Sequence, residues 1–366
     1  MPRLLDTLDA AAGRTPVELD LGIDYLTRVP SPEQLIADDG TYNAGWFDSW
    51  QGRVNWEASS AFQMAFHRFF HLTLDTGRRF VVWNIADFNR AGNTSILVAD
   101  KDSGSFDQES RTGLFARNRV SVSPSQRIFR DASNHSFIQV DPDDQRITFS
   151  VHTGRLHLAG VAEQALGPAF VQCTRFHRGR GSLQWYGNLR LLHGTLTIDG
   201  DVVPLPEGCL GTYDRTAGHQ RGLQNWNWIA AVGRARCVED GQLSDLGLQV
   251  HQDLDGARPR VHSKKHVVWV DGGLAKIPTA RFDYTETDPE TRATGPWRIT
   301  SDEGESDWLD LTLIPRFQRR EHRARVLLNV DFNQYYGELT GSIRLNGRTW
   351  ALEPSFAVAE DSLLQF

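Results

Sequence analysis

Six dipeptides constrain this chain more than any other feature. Asp39-Gly40, Asp199-Gly200, Asp240-Gly241, Asp255-Gly256, Asp271-Gly272 and Asn346-Gly347 are spread along its 366 residues. Two-residue hairpins favour such pairs because both central residues of a type I′ turn need positive φ. The stretches beside them alternate. "GTLTIDG" sets Leu196 and Ile198 against Thr195 and Thr197, and "GSIRLNG" sets Ile343 and Leu345 against Ser342 and Arg344. A period of two puts one face of a strand on a core and the other in water. "RFVVWNIADF" (79–88) and "HVVWVDG" (266–272) are denser in apolar residues and predict more deeply buried strands. Helical patterning is confined to the first forty residues and to 106–117. The expected fold is all-β with little helix.

An internal repeat divides the chain. "GTLTIDGDVVPLPEGCLGTYD" (194–214) aligns without gaps on "GSIRLNGRTWALEPSFAVAED" (341–361), an offset of 341 − 194 = 147. Gly194/Gly341, Gly200/Gly347, Leu205/Leu352 and Asp214/Asp361 are identical pairs. If each copy closes one unit, the second unit should be about as long as the offset, and 220–366 has that length. Many short strands joined by hairpin turns suggest sandwiches or barrels. The reading that follows is two tandem antiparallel β units, each a sandwich or a barrel. Residues 1–40 would be an extension, 41–218 the first unit and 219–366 the second. Barrels of about eight strands can hold one small ligand, and domain junctions are favoured places for pockets.

Composition excludes several classes. Lys and Arg number 39 against 46 Asp and Glu, a net charge of −7. Nucleic acid as a partner is not expected, since that needs a basic face. "HRGRG" (177–181) and "RFQRREHRAR" (316–325) are interrupted basic runs that read as solvated turns and strand faces. Cys173, Cys209 and Cys237 are odd in number and lack metal spacing, which suits a reducing compartment. The opening "MPRLLDTLDAAAGRTPVELD" has no basic segment followed by a long apolar one. No apolar run approaches the ~20 residues of a spanning helix. A soluble, cytoplasmic protein is expected. His67/His71 and His262/His266 are spaced i, i+4, but a metal site needs a third ligand, so no metal is expected. There is no Gly-x-Ser-x-Gly elbow and no phosphate loop, and no organic cofactor is expected. "DPDD" (141–144) and "SDEGESD" (301–307) read as hairpin loops.

The chemistry-bearing stretch is "YDRTAGHQRGLQNWNWIA" (213–230). As a strand, 225–230 puts Trp226, Trp228 and Ala230 on one face and Asn225, Asn227 and Ile229 on the other. Together with "VWVDGGLAKIPTARFDY", "GPWRITSDEGESDWLDLTLIP", "NQYYGELTGSIRLNG" and, earlier, "FFHLTLDTGRRFVVWNIADFNRAGNTSILVADKDSGS", it resembles an uncharacterised bacterial lipocalin-like family. That family is allied to the carotenoid 1,2-hydratases (hydroxyneurosporene synthases) and tocopherol cyclases, and the resemblance covers roughly residues 60–366. It implies two tandem calycin/lipocalin-like antiparallel barrels and acid-catalysed chemistry on isoprenoid alkenes. The element it matches for chemistry is the aspartate of "TYDRTAGH", Asp214.

Protonating an alkene needs a strong acid and a surface that tolerates a carbocation. Desolvation among indoles raises a carboxyl pKa, and aromatic faces attract cations. Asp214 is the candidate acid, His219 the candidate for orienting it or a water, and Arg215, Trp226, Trp228, Tyr335 and Tyr336 the candidate substrate contacts. Of the two adjacent tyrosines, alternation sends one inward and one outward. The competing reading makes Asp214 and Arg215 structural ions and the tryptophans core. Asp361, equivalent to Asp214 in the repeat, lacks neighbouring Arg, His and Trp.

Two functions follow. One is a hydratase/cyclase-type lyase or isomerase that protonates an apolar, isoprenoid-like alkene in a barrel pocket. The other is a non-catalytic binder of a lipid or isoprenoid; a plain β scaffold is a third. The expected partner is a hydrophobic small molecule, with peripheral membrane contact as its route of access.

Overall fold

Hairpin pairing organises the whole molecule. The computed structural model describes residues 23–59, 66–88, 91–114, 120–123, 125–141, 143–176, 180–219, 223–255, 258–259, 264–325 and 328–365. Among these, all regular structure is strand except one 3-10 turn, Trp56–Ala58. No helix among the described residues is long and apolar enough to cross a membrane.

The first sheet begins with Phe106–Leu114 and runs through Ala91–Asp100, Arg79–Asp87, Phe66–Asp75 and Leu210–His219. It continues through Gly181–Ile198, Leu156–Arg175, Arg146–His152, Ser136–Val140 and Ile128–Asp131 to Val120–Val122. It curls until Arg146–His152 lies across from Ala91–Asp100 and Val120–Val122 across from Arg79–Asp87. Phe70, Trp83, Phe129, Phe149, Leu183 and Leu189 fill its concave side. The second sheet carries Leu223–Cys237 at its middle, between Leu243–Asp255 and Arg348–Gln365. Leu328–Leu345 and Trp308–Arg325 continue it. Trp297, Leu311, Tyr335 and Ile343 are in its core. The chain is thus all-β, built of two curled antiparallel half-barrels, and the switch between them falls between His219 and Leu223.

The turn chemistry explains the closures. Asp199-Gly200, Asp271-Gly272 and Asn346-Gly347 have positive φ at both residues, as type I′ turns require. At Asp39-Gly40 and Asp240-Gly241 only the glycine is left-handed, which makes longer loops. Gly256 lies outside the described residues, as does His262.

The helical expectation for 106–117 is overturned over 106–114, and 115–117 lie outside the described residues. Phe106–Leu114 is a strand paired with Ala91–Asp100, and it ends the sheet. Its polar run "DQESRT" is what an edge strand carries to discourage further pairing; sequence periodicity reads such a run as an amphipathic face. The described part of the first forty residues is also non-helical. Arg28–Val29 pairs with Gly45–Phe47, and Leu35 and Ile36 are fully buried in the first core.

The convex faces of the two sheets pack against each other along a seam. Phe80, Val82, Leu97 and Ala99 meet Trp228, Ala230, Tyr336, Phe356 and Val358 at one end. Trp46, Phe170 and Tyr186 meet Val267 and Trp269 at the other. Each of the larger aliphatic and phenylalanine side chains among them, once buried, contributes roughly 1.5–3 kcal/mol. Polar links fix the register across the seam. Gln249 donates to the carbonyls of Tyr213 (2.9 Å) and Gly187 (3.3 Å), and the Trp269 indole donates to the Pro168 carbonyl at 2.7 Å. Gly247 admits the buried Asn188 side chain, since a Cβ there would stand 2.2 Å from Asn188 Oδ1.

Candidate functional site: a polar row between the two sheets

Strand alternation decides where each group of "YDRTAGH" goes. Tyr213 and Ala217 belong to the first core. Residues of the same parity therefore face inward, and Asp214 and Thr216 face outward, into the seam. Cross-strand register then sets neighbours beside Asp214 on the same face: Tyr186 on one side, His71 on the other. The second sheet answers with a row of its own. His251, Trp228, Glu360, Gln334 and Arg319 are successive register partners across four ladders.

The two rows touch. The His71 and Trp228 rings meet edge to face, with centroids 5.6 Å apart. Tyr186 Oη lies 3.4 Å from His251 Nδ1. Asp214 lies between these two contacts. It is 9% exposed, and its Oδ1 accepts from the Thr216 hydroxyl at 2.9 Å. Glu360 is held by two donors, Trp226 Nε1 at 2.8 Å from Oε2 and Gln334 Nε2 at 2.8 Å from Oε1. Gln334 in turn accepts from Arg319 (2.8 Å) and the Tyr336 hydroxyl (2.9 Å).

Burial dominates the electrostatics. It pushes the Asp214 carboxyl up to about 7, with the nearby Glu360 adding to the rise, while Thr216 and Lys265 oppose it. Glu360 is also raised by burial, against its bonds to Trp226 and Gln334. His71 is pushed down to about 4 by burial and then by Arg319. Near neutral pH the row thus holds a protonated or half-protonated acid beside an uncharged imidazole. His71 Nε2, Trp228 Nε1 and Gln184 Oε1 are buried without a hydrogen-bond partner among the described residues. Those three groups give the seam spare capacity to donate and accept.

The structure sorts the predicted residues into two groups. Asp214, Trp226, Trp228 and Tyr336 come together at the seam. Arg215, His219 and Tyr335 do not: each differs in parity from its seam-facing neighbours and points into a half-barrel. His219 Nδ1 is 2.7 Å from the Tyr42 hydroxyl, so it does not orient Asp214. Arg215 stacks on Trp185 inside the first sheet. Tyr335 donates to the Arg292 carbonyl at 2.6 Å inside the second. Asp214 thus faces the seam rather than the interior of a half-barrel, whose concave side carries Tyr213 and Ala217. Of two clefts, one is lined by Asp141, Gln145 and Glu163 and the other by Trp50, Trp185 and Arg215; neither touches Asp214.

Sequence reasoning missed Glu360, His71 and Tyr186. Glu360 is the instructive case. Asp361 is the repeat partner of Asp214, yet it is paired with Arg292 (2.5 Å) rather than facing the seam. One extra residue is taken up between Leu352 and Ser355, opposite Gly341 and Leu339. That bulge reverses the phase of the strand, so Glu360 takes the outward face. Each half-barrel therefore sends one carboxyl into the seam from the equivalent strand.

The chain is similar to CghA at 12% identity, over 93% of this chain and 96% of that one, with a TM-score of 0.52. It is also similar to kievitone hydratase from Nectria haematococca (12% identity, 82% and 88% covered, TM-score 0.49). A putative AttH from Nitrosomonas europaea gives 13% identity, 83% and 94% coverage and a TM-score of 0.49. No curated protein matches the sequence. A family described as a domain of unknown function, DUF2804, matches residues 27–366, and the chain belongs to that family.

Proposed function

We propose that this chain is an acid catalyst of the hydratase/cyclase type. It would be a lyase or isomerase that protonates an apolar, isoprenoid-like alkene, with Asp214 as donor and the seam as the pocket. The observation that carries this is a carboxyl buried beside its strand neighbours His71 and Tyr186, with the Trp228 indole packed edge to face on His71 and burial raising the acid to about 7. In the step envisaged, the alkene π pair takes the Asp214 proton, leaving a carboxylate and a carbocation. The Trp228 face steadies the cation. Water then adds and returns its proton to the carboxylate, giving an alcohol. Alternatively a second double bond attacks, and the ring closes with loss of a neighbouring proton to the same carboxylate. Both routes are redox-neutral. Neutral His71, with a free ring nitrogen, orients the water. The sequence resemblance to carotenoid hydratases and tocopherol cyclases supports the isoprenoid assignment. Delivery by peripheral contact with a membrane, from the cytoplasm, fits such a substrate.

The test is direct. Purified protein is incubated with acyclic polyenes in deuterium oxide, and products are analysed by mass spectrometry. One deuterium per product is expected, with Asp214→Asn at least 1,000-fold slower at unchanged fold. Equal turnover by that variant would remove Asp214 from the role. A second reading is favoured by the aromatic end of the seam, where Tyr336 stacks on Phe317 at 4.8 Å. On that reading the protein carries a lipid or isoprenoid without changing it, and lipid would be extractable from the purified chain.

A further inference from the structure

Arg215 points away from Asp214, and nothing in the alkene chemistry uses it. Its residue is 3% exposed, and the guanidinium lies 4.1 Å from the Trp185 ring centroid. A buried cation ordinarily has its donors paired. Here the anionic neighbour is Asp144, at 3.5 Å from Nη2, while Nε and Nη1 are buried without a hydrogen-bond partner. Asp144 is also shared, since Arg127 Nη2 stands 3.0 Å from its other oxygen. Two guanidinium groups on one carboxylate leave one positive charge uncompensated.

A cleft of about 60 Å³ opens beside these groups, bordered by Trp50, Ser125, Arg127, Asp144, Trp185 and Arg215. Trp50 Nε1 is likewise buried without a partner. Every orphaned atom among these six residues is thus a donor. A group that satisfies them must accept several hydrogen bonds, carry negative charge and match the planar fork of an arginine. A carboxylate does all three. The volume is that of roughly two waters, enough for a carboxylate with a methyl, with anything longer leaving through the mouth.

We propose that this end of the first half-barrel is a binding site for a small carboxylate, anchored by Arg215 with Trp50 as second donor. The site is on the opposite face of Leu210–His219 from Asp214, so it stands whether or not the alkene chemistry does. Asp144 already occupies part of the positive field and competes with the ligand.

The full chain is titrated with sodium acetate at constant ionic strength, by calorimetry and tryptophan fluorescence. Saturable binding is expected, weakened at least tenfold by Arg215→Gln and less by Arg215→Lys, which keeps the charge and loses the fork. Asp144→Asn provides a second, near-isosteric variant, with its fold checked by circular dichroism. Asp144 is on a turn at φ 58°, which asparagine tolerates, and its side chain is 27% exposed. Removing its charge should tighten acetate about tenfold. Inorganic phosphate, tetrahedral and larger, should bind at least tenfold more weakly than acetate. Failure of acetate to saturate, unchanged affinity in Asp144→Asn or Arg215→Gln, or phosphate binding as tightly as acetate would each overturn the assignment.

Discussion

Asp214→Asn should make the protein more stable, and by an amount that depends on pH in a calculable way. The folded state holds the Asp214 proton up to about pH 7, whereas an unfolded chain releases it near 3.8. Between those values the folded state binds more protons than the unfolded one, so stability falls as pH rises. At about 1.4 kcal/mol per pH unit, the rise from 3.8 to about 7 corresponds to about 4 kcal/mol, fully felt above pH 8. The amide has the same shape and keeps an oxygen to accept from Thr216, but it does not ionise. Urea unfolding of both proteins at several pH values from 4 to 8 measures the difference, and other titrating groups largely cancel. The variant's advantage should grow by about 4 kcal/mol from pH 4 to pH 8. A flat difference would mean that Asp214 is solvated or firmly paired, and the reasoning from burial would fail.

Other outcomes follow from the same geometry. His71 is depressed to about 4 by burial, so it contributes stability above pH 6.5 that is lost as pH falls toward 4; His71→Gln should flatten that acid limb by about 3 kcal/mol, read from the same unfolding series. Gly247→Ala forces a Cβ onto Asn188 and should cost about 1–3 kcal/mol in denaturant unfolding, with Asn188→Ala restoring much of it. Glu360→Gln removes a like charge near Asp214 and should move the alkaline limb of any activity profile to lower pH. Replacing Trp228 with Leu should lower kcat for alkene protonation at least tenfold with little change in KM, since the indole acts on the cation.

Much of the architecture was legible because turn chemistry and alternation are local. Asn346-Gly347 announces a hairpin wherever it occurs, and "NWNWIA" tells which residues share a face. The shared face of Trp226 and Trp228 and the opposed directions of Tyr335 and Tyr336 come from period two alone. The seam was not legible. Alternation separates two faces of a strand, but it does not say which buried face lines a barrel and which meets another sheet. Asp214, Arg215 and His219 therefore read as one site although the strand divides them. Glu360 was hidden for a different reason: a bulge between Leu352 and Ser355 shifts the phase, and a gapless repeat alignment carries the eye to Asp361 instead. His71 and Tyr186 become neighbours of Asp214 only through pairing between strands far apart in sequence. At 106–114 a charged edge strand imitated the outer face of a helix.

The most direct test is a carbon-13 NMR titration of protein labelled at aspartate side-chain carboxyls, with Asp214→Asn as the assignment control. One resonance, missing from the variant, should titrate with a midpoint near pH 7. A midpoint near 4 for that resonance would place the carboxyl in water and contradict the buried acid on which the proposed chemistry rests.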